Sequence, residues 1–288
     1  MFTLETPPVG VDVDAWHGES VASPEAGDLW LISADGEALG LAVLASVRTT
    51  FVLCWPVTTA DTPVFEDVLE VASTPLGVPL LTWPARETGI GLHMLHRKYG
   101  SLLTPRTMRI VESVIDNGGA EYPLPLAPRT VEGEEAEAVS DEMVERWERI
   151  CLDTWPKLTA GISPLNADVL RARSVQIGDL AGILHIDTAP AVGLFRGETA
   201  PTDEQVAALA AALRLEPDAL LNPGTDAGAL MLIEPSLKNS ILDLAKSWNV
   251  SEALARNIVR SEYSLAARSD GDAHARMQAT IDRLRTAH

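Results

Sequence analysis

Between Asp28 and Trp83 the apolar residues come in short runs rich in Val, Leu and Thr: Leu29 to Ile32, Leu39 to Val47, Thr50 to Thr58 and Val78 to Trp83. Asp35-Gly36 separates the first two, and that dipeptide signals a hairpin because a tight primed turn needs positive φ at both central residues. The pattern predicts a small antiparallel sheet curled into a barrel. Thr104 as a cap and Pro105 in the first turn then open a helix. Met108, Val111, Val114 and Ile115 keep helical spacing, and Asn117-Gly118-Gly119 stops it, so this helix closes a first domain over 1–118. Pro123, Pro125 and Pro128 followed by Glu132, Glu134, Glu135 and Glu137 favour extended, solvated chain, which predicts an acidic linker over 119–140. After Ser140 as a cap, Met143, Trp147, Ile150, Cys151 and Trp155 mark one helical face up to Pro156. Beyond it Ala, Leu and Val recur at spacings of three and four: Val169 to Leu184, Gln205 to Leu213, Leu237 to Trp248, Glu252 to Ala267 and, more weakly, Ala273 to Leu284. The expected class is α+β, a small N-terminal antiparallel β-barrel with a closing helix followed by an all-α region.

Charge changes this picture. The chain has 288 residues, enough for two domains, and a formal net charge of -19. Such acidity excludes a broadly basic surface for nucleic acid or anionic lipid. It is unevenly placed, however. Residues 1–235 hold 14 basic and 35 acidic side chains, whereas 236–288 hold 8 and 6, so the C-terminal segment has to be judged separately. Cys54 and Cys151 lack CxxC or Cys/His spacing and read as reduced core thiols. The N-terminus shows no signal-peptide pattern and no stretch approaches the ~20 apolar residues that span a bilayer. The expectation is a soluble, cytoplasmic protein without a membrane partner.

Residues 168–222 resemble the Xre-type, phage-repressor-like helix-turn-helix family, a five-helix DNA-binding fold. Leu170, Leu180-Ala181, Leu184 and Ile186 stand where that family packs its first two helices. Arg196-Gly197 matches the pair after the recognition helix, Pro201 the proline opening the fourth helix, and Leu209-Ala210, Leu213 and Leu220 the last two. The resemblance covers about 55 residues and implies an Xre-like helical domain over 141–235. A recognition helix reads bases through polar side chains near its N-terminus. Here it runs Thr188, Ala189, Pro190, Ala191, Val192, Gly193, Leu194, Phe195, which leaves Thr188 as its base-reading group. Gln176 stands beside Ile177 where members commonly have glutamine, and Phe195 replaces the usual glutamate. Arg171, Arg173 and Arg196 would meet phosphates, among carboxylates at Asp168, Asp179, Asp187, Glu198, Asp203 and Glu204.

Residues 236–288 supply a second helical hairpin and a second reader. Ser251 caps its latter helix, and Leu244, Ala245, Val250, Leu254 and Ile258 would form its core. Glu252, Arg256, Asn257 and Arg260 would then face outward, with Lys238 and Lys246 on the preceding helix. Arginine pairs with guanine and asparagine with adenine, so the residue types suit bases and phosphates. The candidate DNA contacts are therefore Lys246, Ser251, Arg256, Asn257 and Arg260 here, and Arg171, Arg173, Gln176, Thr188 and Arg196 in the Xre-like unit.

Residues 27–59 are similar to the start of PemK/MazF-like barrels, often toxin ribonucleases, through Gly27-Asp28-Leu29-Trp30-Leu31-Ile32, Leu41 to Ser46 and Trp55-Pro56-Val57-Thr58-Thr59. That family's Arg-Pro is replaced by Gly40-Leu41. Thr58 alone supplies neither proton transfer nor charge stabilisation for phosphodiester cleavage, which implies an inactive barrel that binds a partner or ligand. His93 and His96, three apart in HMLHRKYG, lack a third ligand at informative spacing and read as a basic surface turn beside Arg97 and Lys98. No Walker A, GxGxxG, HExxH or GxSxG occurs, so no catalytic residue, cofactor or metal is assigned. The function expected is that of a DNA-binding transcriptional regulator, a repressor or the antitoxin of a toxin-antitoxin operon. It would bind double-stranded DNA as a homodimer, with a protein partner admitted by the acidic barrel or linker. Two alternatives stand beside it: a protein-interaction module with a degenerate helix-turn-helix that does not bind DNA, and a PemK/MazF-like ribonuclease.

Overall fold

A computed structural model of the chain describes residues 2–18, 23–118, 121–152, 165–195, 199, 201–221, 227–266 and 272–286. The chain divides into two compact units, one of Met1–Trp155, Leu232–Ala255 and Ile281–His288, the other of Pro156–Met231 and Arg256–Thr280.

The first unit is built on a seven-stranded antiparallel sheet. A short helix, α1 (Val13–Trp16), precedes β1 (Asp28–Ala34), β2 (Glu37–Val47), β3 (Phe51–Thr59), β4 (Leu69–Val71), β5 (Leu80–Thr82), β6 (Thr88–Gly91) and β7 (Leu95–Ser101). Asp35 and Gly36 take φ of 48° and 80°, the turn the dipeptide predicts, and pair Ala34 with Glu37. Strand alternation then puts Leu29, Leu31, Leu41, Val43, Trp55 and Val57 into one core with Trp16. Trp30, Ile32, Ala42, Leu44 and Cys54 take the opposite face and are equally buried. Both faces are covered, which is why the strands read as apolar runs without alternation.

The sheet is open, which corrects the barrel expected from the sequence. Its order is β4-β5-β3-β2-β1-β7, with β6 also on β3, and the end strands β4 and β7 do not pair. Beyond β2, the other edge of β3 is divided: residues 51–54 take β6 and residues 57–59 take β5. The free edge at β4 is instead covered by the proline-rich segment, since Glu70 N–H donates to Pro125 O and Ala127 N–H to Val68 O, each at 2.9 Å. Residues read as solvated linker are thus hydrogen-bonded to the sheet, and the acidic run after them is helical. Glutamate is a good helix former, and one face of the run can be buried.

The closing helix α2 (Pro105–Asn117) has the expected Thr104 cap and ends at Gly118, and it buries Met108 and Val111 in the first core. α3 (Gly133–Leu152) begins seven residues before Ser140. Its Trp147 lies against Gly40, where a Cβ would come within 3.3 Å of the indole, and Arg146 donates to Leu39 O. Glycine at position 40, where the resembled family has arginine, therefore makes room for a packed tryptophan.

In the second unit α4 (Ala167–Ala172), α5 (Ile177–Leu184), α6 (Thr188–Phe195), α7 (Asp203–Leu213) and α8 (Pro217–Leu220) follow one another. Leu170, Leu180, Ala191, Leu194, Leu209 and Leu220 make their shared core. Each boundary has a local cause. Gln176 N–H donates to the Asp179 carboxylate at 2.9 Å and starts α5; His185, at φ 53°, ends it. Thr202 and Gln205 form a reciprocal capping box at α7, whose end is Arg214 at φ 54°. Asn166 N–H to Leu220 O, 2.8 Å, ties the start of the bundle to its end. The chain continues through α9 (Ala227–Leu232), α10 (Lys238–Trp248), α11 (Glu252–Ala266) and α12 (Ala273–Thr286).

Candidate functional site

The first set of candidate residues lies along the helices α4 to α6. α5 and α6 are joined by the three residues His185 to Asp187. Ala191 and Leu194 turn into the five-helix core, and Phe195 packs against it. The first turn of α6, Thr188, Ala189 and Pro190, is exposed. The apolar character of this helix is therefore spent on its own core, and its outer N-terminal face carries one hydroxyl. Gln176 is exposed at the start of α5. Arg173 is exposed, with its guanidinium donating to Leu213 O at 3.3 Å, and Arg171 is half-buried on α4. Arg196 lies outside the described residues. Asp179 and Asp187 are exposed on the same two-helix segment, so the face is close to neutral rather than basic.

The C-terminal candidates are placed differently from the expectation. The buried stripe of α11 is Glu252, Ala255, Arg256, Val259 and Tyr263, whereas Leu254, expected in the core, is 47% exposed. Arg256 is 0% exposed, so its guanidinium would have to leave its packed position to reach a base. Asn257 and Arg260 are half-buried; Ser251 and Lys246 are exposed, and Ser251 Oγ accepts from Leu254 N–H at 3.2 Å as the predicted cap. Of the cations proposed for this hairpin, Lys246 alone stands fully outside.

Sequence reasoning missed what holds α10 and the first turn of α11 in the first unit. Lys238, 0% exposed, donates to Ser33 O and His93 O at 2.9 Å and to both Glu252 carboxylate oxygens at 2.8 and 2.9 Å. Glu252 is 4% exposed. Its own N–H, at the start of α11, donates to the Asp35 carboxylate at 2.5 Å, and Asp35 N–H returns a bond to Glu252 Oε2 at 3.2 Å. The hairpin turn thus caps the helix across 217 residues of chain. His96, 2% exposed, lies 2.8 Å through Nδ1 from Ser33 Oγ. Burial, then Lys238 and Arg97, lower its pKa to about 4. Only lysine's rarity in cores hints at this site in the sequence, because its partners are set by folding.

The remaining candidates resolve into structure. His93 and His96 lie in a 3-10 turn and β7, buried, not on a surface turn. Lys98 is paired with Asp28 at 2.7 Å, and Arg97 donates to Leu4 O at 2.5 Å, so this cationic pair serves packing. Thr58 is half-buried and its Oγ1 accepts from the Trp83 indole at 2.9 Å. Cys54 is buried, which raises its thiol pKa, and Cys151 is half-buried. Among the described residues no group of His, Cys, Asp or Glu is arranged to hold a metal, and no helix is long and apolar enough to cross a membrane. Compared with protein-family models, with curated proteins and with solved structures, the chain matches none.

Proposed function

We propose that the chain is a DNA-binding transcriptional regulator whose reader is the α5–α6 segment and whose sheet unit binds a partner or ligand. The observation that carries this reading is the division of α6: Ala191 and Leu194 face the five-helix core while Thr188 to Pro190 stay uncovered at its N-terminus. A helix entering a major groove presents its first turn to base edges, and the uncovered first turn of α6 after a three-residue connection fits that geometry. The rival reading takes Ala191, Val192, Leu194 and Phe195 as an apolar face for a protein; Ala191 and Leu194 are instead interior, while Val192 and Phe195 are half-buried. The ribonuclease reading has little support, since Thr58 holds an indole and Gly40 holds Trp147.

Few phosphates can be neutralised by one copy, so a dimer on a palindrome suits this reader. The test is a gel-shift titration of the full chain on the duplex upstream of its own coding region, beside a scrambled duplex, at about 100 mM salt. The expected result is at least roughly tenfold tighter binding to the upstream duplex, the size one good side-chain-to-base contact gives. Equal affinity for both duplexes would overturn the reading.

A further inference from the structure

We propose that Lys238, Glu252, Asp35 and His96 form an acid-sensitive latch that holds α10 and the first turn of α11 on the β1–β2 hairpin and releases them as pH falls. The proposal does not depend on DNA binding. Burying a lysine and a glutamate costs several kcal/mol per ion, and well-packed apolar residues in their place are often as stable. What a charge pair adds is conditionality: the seat holds only while each member keeps its charge state.

All three Lys238 protons are used, on Ser33 O, His93 O and the Glu252 carboxylate. Nothing in that arrangement tolerates a further cation. His96 is the group placed to become one. Its Nδ1 meets Ser33 Oγ, and the carbonyl of the same Ser33 accepts from Lys238, so the two side chains share one residue of β1. The charged and titratable groups around the imidazole are Lys238 from α10, Arg97 from β7 and Glu252 from α11, with Asn239 as a hydrogen-bonding neighbour. Asp35 and His93 complete the seat through the Glu252 and Lys238 contacts. The two nearest cations oppose protonation, and the one carboxylate that favours it is already engaged by Lys238. A proton on His96 therefore sets three cations against Glu252, and opening the seat relieves this by returning the imidazole to water.

The sign follows from linkage. In the closed seat His96 titrates near 4, below the ordinary 6.5 of an exposed imidazole. The opened state therefore binds the extra proton, and closure, complete above about pH 6.5, weakens through the window down to about 4. Between pH 7 and pH 5 the opening equilibrium should rise roughly 20-fold.

The measurement is amide hydrogen exchange of the full chain at pH 7 and pH 5, corrected for intrinsic exchange rates. The amides of α10 and the first turn of α11 are expected to lose protection about 20-fold, while those of β2 and β3 keep theirs. His96→Gln keeps a hydrogen-bonding side chain beside Ser33 without a titrating proton, and its α10 protection should be the same at both pH values. Unchanged wild-type protection of α10 at pH 5 would overturn the proposal. So would a loss spread evenly over the sheet, or a pH response that persists in His96→Gln. If the Gln variant does not fold, the wild-type comparison alone decides.

Discussion

Glu252→Gln is expected to destabilise the first unit by about 3–5 kcal/mol, the cost of leaving one member of a buried ion pair without its counter-charge. The substitution keeps the size of the side chain and the helix, so the loss isolates the charge. Lys238 would retain Ser33 O and His93 O as acceptors but face a neutral amide in place of a carboxylate that takes two of its bonds. Lysine could shed its proton instead, and that too costs free energy at neutral pH. Chemical denaturation followed by far-UV dichroism checks the magnitude. The double variant Lys238→Met, Glu252→Leu should recover most of the stability, because apolar residues of similar volume carry no desolvation cost. A Glu252→Gln protein within about 1 kcal/mol of wild type would mean that the pair is solvated and contributes as surface pairs do.

The second large effect concerns the reader. Arg171→Glu with Arg173→Glu removes two cations from α4 and its end and adds two anions where the phosphates would run. Affinity for the upstream duplex at about 100 mM salt should fall by roughly 100-fold or more, and the slope of log affinity against log salt should shrink by about 2 per chain. The matched change on the C-terminal helices, Lys246→Glu with Arg260→Glu, alters net charge equally and should cost less than about fivefold, the long-range share of the field. Fluorescence anisotropy over a salt series gives both numbers. The opposite ranking would move the DNA contact to α10–α11 and contradict the assignment of the reader to α5–α6.

Where a structural cause lies within a few residues, the sequence carried it. Asp35-Gly36 specified the β1–β2 turn, Thr104-Pro105 and Gly118 bounded α2, and the capping groups at Gln176 and Thr202 set the helices of the second unit. Where the cause is a distant partner, pattern was a poor guide. Nothing in the runs of Val and Leu says that β4 pairs with the segment around Leu126 rather than with β7, so a closed barrel and an open sheet look alike along the chain. The acidic stretch after Pro128 looked solvated because its glutamates are; the stripe of Trp147 and Ile150 on the same helix is what fastens it to the sheet. The inward face of α11 was misjudged for the same reason. Binary patterning puts Leu254 in and Glu252 out, and only the meeting with Lys238 and Asp35, contributed by other elements, reverses that choice.

Charge gains meaning from the same placements. By charge count alone the C-terminal segment is the better DNA contact, with 8 basic against 6 acidic residues. Lys238 and Arg256 are buried, which removes two of those cations from the surface and leaves the five-helix unit with the better geometry despite its carboxylates. On the proposed reading, specific recognition by so acidic a protein would rest on shape and a few base contacts, with the surrounding negative field suppressing random binding.

The most direct test of that account is selection of duplexes from a random library by the full-length protein, read by sequencing over successive rounds. A short palindromic motif with half-sites about 10 base pairs apart is expected to be enriched, and that enrichment to be lost in Arg171→Glu, Arg173→Glu. A library that stays random through the rounds, with the protein folded, would contradict it.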